Sequence, residues 1–302
     1  MDMARKKIED LVVNLEFPRS INTTFAVLHK SLKIASSGRH YLALSLADKT
    51  GWMDGRMFPD SGVEDIYNSI PTGTICRVEG KVNEFPPGSG KMNIVIKSLQ
   101  ELCEEEYQLE DFIATSPHDC EKQVEVIRGV IRGMESPELK GLLRSFFCDQ
   151  EFTAKFYQAP AAMIHHHNYL GGLLDHSVEV LLICERLCEL FPQLDRDLLL
   201  TGALLHDVGK IRTYQYHKVK IEMSRESVLL DHLYLSADMV RERMESLNFP
   251  EELYQQVLHL ILSHHGKVSQ GWGSSVNPKL PEAMALHHAD HLDARVKEML
   301  QK

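Results

Sequence analysis

The chain has no apolar run near the roughly 20 residues that a membrane-spanning helix needs, and its opening "MDMARKKIEDLVV" contains no signal-peptide core. Both absences lead to the expectation of a cytoplasmic protein with no membrane partner. Paired cysteines are missing too. The six cysteines stand apart at 76, 103, 120, 148, 184 and 188, with no CxxC spacing. That excludes a small disulfide framework and reads as reduced thiols. Cys184 and Cys188 lie one helical turn apart, a spacing that fits packing rather than metal binding. No fixed-period repeat runs along the chain. Positive charge is scarce: the net charge is −10, which taken alone argues against a nucleic-acid partner.

What is present is unevenly spread. Residues 13–100 hold ten Lys and Arg against eight Asp and Glu, so this part is +2 and the remainder is −12. Thirteen of the sixteen histidines fall between positions 165 and 291, which points to a site rather than a surface. A chain of 302 residues is long for one hydrophobic core, so two domains are expected.

The first hundred residues read as strands. "HYLALSLADKTGWMDGRMF" (40–58) alternates Leu42, Leu44 and Leu46 against Tyr41, Ala43 and Ser45, then turns at "DKTG" into a second extended run. "TTFAVLHKSLKIASSG" (23–38) precedes them as a long first strand. "SGVEDIYNSI" (61–70) reads as a helix with Ser61 as N-cap and Glu64 completing a capping box. "GTICRVEGKVNEF" (73–85) and "KMNIVIKSLQ" (91–100) are strands joined by the turn-forming "PPGSG". Three strands, a helix and two strands is the order of an OB-fold, a five-stranded barrel often used on single-stranded nucleic acid. After an acidic stretch, nearly everything from 121 onward reads as amphipathic helix, for example "DRDLLLTGALLHDVGK" and "EELYQQVLHLILSHH". The fold class expected is therefore multidomain α+β. A barrel domain spans 1–100, a linker 101–120, and an all-α domain 121–302.

Within the helical part, His and Asp recur where helices begin or end. His176 follows "GGLLD", the His206–Asp207 pair follows "GALL", His232 follows "VLLD", His264–His265 closes "LHLILS", and Asp290 lies in "LHHADHLDA". Each is approached by apolar residues, and a buried unpartnered His or Asp is costly. A shared metal compensates several at once. Neighbouring helical side chains diverge by about 100°, so His206 and Asp207 do not reach one ion by parallel projection; Asp207 is better placed to bridge two. A set of seven N and O donors without cysteine suits Mn²⁺, Fe²⁺ or Mg²⁺ better than structural zinc. Singly, any of these histidines reads as a hydrogen-bonded core residue; it is the joint pattern that reads as a metal site.

The pattern H…HD…D resembles the HD-domain metal-dependent phosphohydrolases. His176 matches the first histidine, His206 and Asp207 the paired motif, and Asp290 the closing aspartate, while His232, His264 and His265 match the form that holds two metals. With the barrel, "QAPAAMIHHHNYLGGLLDHS", "LDRDLLLTGALLHDVGK", "LILSHHGK", "WGSSVNP" and "EAMALHHADHLDA" are similar, in order and across nearly the whole chain, to the YhaM-type 3′–5′ exoribonucleases. Asp231 departs from the pattern, standing where a glycine is expected before the histidine.

The resemblance implies two divalent cations, Mn²⁺ first and Fe, Mg, Co or Ni as alternatives, supplying hydroxide for in-line attack on a phosphodiester. Asp207, Lys210 and His167 are the expected catalytic groups. His166, His167, Lys210 and Lys267 are expected on substrate phosphates, and one of His287, His288 and His291 is expected to orient a ligand. On the barrel, Tyr41, Trp52 and Phe58 are candidates for base stacking and Arg39, Lys49, Arg56 and Lys91 for phosphates. The alternative for Trp52 and Phe58 is that they fill the barrel. The leading reading is an exonuclease on single-stranded RNA, with DNA also open, releasing nucleoside 5′-monophosphates; a homo-oligomer stays open. A second reading keeps the site for small or cyclic nucleotides with a regulatory barrel. A third is a non-catalytic RNA-binding protein whose site has decayed.

Overall fold

A computed structural model of the protein describes residues 7–13, 19–35, 37–58, 62–163, 167–217, 219–271 and 273–300. It divides into two compact units, Met1–Ala114 with Tyr216–Lys220, and Thr115–Gln215 with Ile221–Lys302. Among the described residues no helix is long and apolar enough to cross a membrane.

The first unit is a closed barrel. Strands β1 (Arg19–Ile34), β2 (His40–Asp48), β3 (Gly51–Met57), β4 (Ile75–Glu84) and β5 (Met92–Glu101) neighbour one another in the order β1-β2-β3-β5-β4. β1 closes on β4, and β3–β5 is the parallel pairing. The two-residue alternation puts Leu42, Leu44 and Leu46 inside, opposite Met57, Gly55 and Met53. Phe25, Val78, Val82, Ile94 and Ile96 complete that core. The "DKTG" turn is held by Asp48, whose carboxylate accepts from the Thr50 amide and hydroxyl (2.8 and 2.6 Å) and from the amide of Ile8 (3.0 Å), at the start of α1 (Ile8–Val13).

α2 (Val63–Ser69) follows β3 as expected, but its N-cap is Gly62, with no side-chain cap. Ser61 lies outside the described residues. Glu64 caps nothing, because its carboxylate accepts from His40 Nδ1 at 2.7 Å. The acidic stretch after β5 forms two 3₁₀ turns, Glu104–Glu106 and Leu109–Asp111, flanked by Leu102 and Phe112, which are buried with Ala26 and Ile75.

The second unit is built from α3 (Cys120–Gly133), α4 (Pro137–Phe147), α5 (Gln150–Phe156), α6 (Gly172–Leu190), α7 (Arg196–Leu205), α8 (Lys210–Thr213), α9 (Arg225–Ser246), α10 (Glu251–Ser263) and α11 (Pro281–Leu300). Asp119, Ser136, Asp149, Asp195 and Ser224 each accept a backbone amide at a helix start, worth about 1 kcal/mol apiece. Leu173, Leu199, Leu200, Leu204, Leu260 and Leu286 are among the side chains that fill one continuous core. Each contributes roughly 1.5–3 kcal/mol as an upper bound. One element departs from an all-helical reading. β6 (Tyr214–His217) and β7 (Lys220–Met223) form a two-stranded hairpin between α8 and α9. α9 itself is broken at Asp231, whose φ of 63° and ψ of 155° are non-helical.

Candidate metal centre

Four helix ends and one helix face deliver the polar residues. Gly171, in the left-handed region (φ 83°), lets α6 begin, and a Cβ on Gly172 would overlap the His167 carbonyl. His176 therefore enters fully buried within the first turns of α6. The leucine-rich α7 ends with His206 as its C-cap, so Asp207 falls in the following turn and not on a continuing helix. Gly209 is required there because α9 passes so close that a Cβ would overlap the Ser236 amide. His232 follows the break in α9, His264 and His265 follow the last residue of α10, and Asp290 is on α11.

These side chains meet in two groups that share Asp207. In one, His176 Nε2 lies 3.2 Å from His206 Nε2, 3.2 Å from Asp290 Oδ1 and 3.5 Å from Asp207 Oδ2; His206 Nε2 is 3.4 Å from the same Asp207 oxygen. In the other, Asp207 Oδ1 lies 3.7 Å from His232 Nε2 and 3.8 Å from His264 Nε2, while His232 Nε2 is 3.3 Å from His265 Nε2.

The opposite nitrogens decide what the Nε2 atoms are. His206 Nδ1 donates to the Ala203 carbonyl (2.9 Å) and His264 Nδ1 to the Ile261 carbonyl (2.7 Å), acceptors that cannot donate back. His176 Nδ1 donates to Asp293 Oδ2 and His232 Nδ1 to Asp231 Oδ1, both at 2.7 Å. With Nδ1 protonated, the Nε2 atoms of these four rings face the two oxygens of Asp207. Among the described residues, Asp207 Oδ1 and His264 Nε2 are buried with no hydrogen-bond partner. This donor set fits divalent cations, which neutralise facing lone pairs and carboxylates together. The sets His176–His206–Asp207 and His232–His264–His265 each bring their donor atoms within 4.8 Å of one another.

Electrostatics follows the same division. Burial raises the Asp207 carboxyl, but the Lys210 ammonium and His206 outweigh it and hold it well below the usual carboxylate range. Asp290 is likewise lowered, burial being overcome by His176, His206 and His264. Burial, reinforced by His265 and His206, drives His264 well below an ordinary imidazole, so it stands as a neutral donor. His176 is the exception. Burial lowers it, yet Asp207, Asp290 and Asp293 together raise it well above its ordinary value.

Residues 173–295 match the HD domain family, and residues 25–102 match a family of OB-fold nucleic acid binding domains. The chain is 32% identical over 286 residues to the 3′-5′ exoribonuclease YhaM of Geobacillus sp. (strain WCH70), covering 94% of this chain and 85% of that protein. The YhaM of Bacillus subtilis (strain 168) is 32% identical over 267 residues, 88% of this chain and 82% of its own length. The chain belongs to the YhaM exoribonuclease family. It is an enzyme of the metal-dependent hydrolase class.

Not every candidate sits where the YhaM resemblance put it. Lys210 Nζ lies 2.6 Å from Asp207 Oδ2, beside both groups. His167 is fully buried. Its Nδ1 donates to the Tyr169 hydroxyl at 3.0 Å, because that hydroxyl itself donates to Asp175, and its Nε2 lies 3.1 Å from Asp293 Oδ2. With His176 and Asp293 it brings a further set of donor atoms within 4.8 Å of one another. His165 and His166 lie outside the described residues. Lys267 is exposed. His287 donates from Nδ1 to the His264 carbonyl at 2.8 Å, holding the backbone of that donor residue.

On the barrel, Tyr41 and Phe58 stack at 5.8 Å on the outer face, and Arg56 lies in the same row, opposite Ala43. Trp52 is 64% exposed and Phe58 42%, so neither fills the core. Arg39 and Lys91 are exposed outside the strands, and Lys49 is 3.7 Å from Asp111. Sequence reasoning missed Phe85, exposed under the Arg56 guanidinium at 4.5 Å. It also missed Asp293 as the partner of His176. Its spacing of three from Asp290 on one helix was the available signal.

Proposed function

We propose that the chain is a 3′-5′ exonuclease that hydrolyses single-stranded RNA to nucleoside 5′-monophosphates, using two divalent cations held by His176, His206, Asp207, His232, His264, His265 and Asp290. The observation that carries this reading is Asp207, whose two oxygens face two separate sets of imidazole nitrogens. Bound there, divalent cations supply Lewis acidity and a nucleophilic water at neutral pH. The protein's own groups do the rest. Lys210 holds positive charge beside Asp207, where a phosphoryl oxygen gains negative charge. Asp293 and the two backbone carbonyls fix the tautomers of His176, His206 and His264. The row Tyr41, Phe58 and Arg56 with Trp52 offers flat surfaces to bases that have no pairing partner. The division into a barrel domain at 1–100, a linker and a helical domain from 121 is part of the same proposal, as are manganese and a cytoplasmic setting. The direction of attack is supported by the relatives' activity.

The test is a time course on 5′-labelled single-stranded RNA with Mn²⁺. The expected result is a ladder shortening one nucleotide at a time and abolished by EDTA. Immediate release of a labelled mononucleotide, or hydrolysis of free nucleotides with the RNA left whole, overturns the proposal.

A further inference from the structure

Asp231 is the residue in α9 that breaks the helix. Its φ of 63° and ψ of 155° lie in a region essentially reserved for glycine. A side chain held there is strained, and such strain persists where surrounding contacts oppose it. Two contacts are made. Asp231 Oδ1 lies 2.7 Å from His232 Nδ1 and accepts the Leu233 amide at 3.1 Å, restarting the helix. The second is a cap that glycine replaces at little cost. The first has no such substitute.

We infer that Asp231 is a positioning residue. Its carboxylate fixes His232 in the tautomer and orientation that present Nε2 to Asp207 and His265, and the strained backbone is the consequence of keeping a carboxylate at this point. His232 needs this help more than its neighbours do. His206 and His264 have backbone carbonyls of their own helices as acceptors, and His176 has Asp293. His232 stands just beyond the break, its side chain is 16% exposed, and among the described residues its Nδ1 is held by Asp231. Carboxylate partners of this kind fix a ligating imidazole and strengthen it. The inference rests on the two-group metal centre proposed above.

The experiment compares the full chain with Asp231→Gly and Asp231→Asn. In metal-free protein, long-range ¹H–¹⁵N spectra of the imidazoles report the His232 tautomer, a readout that needs no cation. The wild type is expected to show one Nδ1–H tautomer and Asp231→Gly a mixture. Calorimetric titration with Mn²⁺ is expected to show one of two equivalents weakened roughly 10–100-fold in Asp231→Gly. Asp231→Asn, which keeps an acceptor oxygen, recovers most of that loss. The melting temperature of metal-free Asp231→Gly is expected to rise by about 2–4 °C as the strain is relieved. Wild-type affinity with a single tautomer in Asp231→Gly overturns the positioning role, as does an equal loss in Asp231→Asn. A melting temperature that fails to rise overturns the claim of strain. If the wild type binds no Mn²⁺, the metal-centre reading fails, while the tautomer comparison still judges Asp231.

Discussion

At the scale of residues, the proposed chemistry turns on one carboxylate. Asp207 is 2% exposed, pairs with Lys210, and offers its second oxygen to His232 and His264. Replacing it with alanine removes the group common to both donor sets and leaves the Lys210 ammonium buried without a counter-ion. The second effect destabilises the fold by roughly 3–5 kcal/mol. The first removes the group that, in the proposed function, holds two cations together. Asp207→Ala is therefore expected to lose RNA hydrolysis by at least about 10³-fold, with a melting temperature lowered by roughly 6–20 °C. Unaltered turnover on labelled RNA excludes the two-cation reading. Much of this site is legible in the sequence because histidines and aspartates placed after apolar runs are costly unless something neutralises them together. The orienting partners are not. Asp293 looks like an ordinary surface acid, and Asp231 shows only as a departure from the pattern, until the fold brings His176 and His232 against them.

Several helices in this chain are started by short polar side chains, and the aspartates among them can be titrated. Asp149 caps α5 by accepting the amides of Glu151 and Phe152, and its other oxygen meets Arg243 of α9 at 2.5 Å. The Arg243 guanidinium, followed by the helix amides, lowers its pKa below the ordinary carboxylate value. A depressed carboxylate contributes stability above its unfolded pKa of about 3.9 and loses it as pH falls through the folded value. Asp149→Asn keeps a capping oxygen but cannot titrate. Its urea midpoint is expected to fall less steeply than the wild type's below about pH 4, with a lower value at pH 7. Parallel curves in acid would remove the role assigned to the pair. The caps themselves are readable from sequence, as is the leucine periodicity of α7 and α10. The hairpin β6–β7 is harder to see. Val219, Ile221 and Met223 alternate as a strand should, but four-residue strands inside a long helical pattern carry little weight against it.

Across the whole molecule, charge and chemistry are arranged against each other. The −10 chain would repel a polyanion, and even residues 13–100 are only +2. Lys49 is partly neutralised by Asp111, and Arg56 is laid over Phe85. The barrel order is legible because each strand alternates with a period of two. The number of bases it holds is not, because that depends on which outward side chains align across β2 and β3. If charge contributes little, aromatic surface has to hold the substrate. Each base stacked on an aromatic ring is worth about 1–3 kcal/mol, so losing the Tyr41–Phe58 pair should weaken binding by roughly 5–150-fold per base held. The double variant Tyr41→Ala, Phe58→Ala is therefore expected to raise the Kd for a single-stranded RNA 20-mer by at least about tenfold. The salt dependence should remain shallow, since few phosphate contacts are lost or gained. Turnover of a dinucleotide, which reports on the metal centre, should be unchanged. Fluorescence anisotropy at several salt concentrations, beside dinucleotide kinetics, measures all three. An unchanged Kd for the 20-mer would assign its binding to some other surface, and an equal loss on the dinucleotide would make the two rings structural.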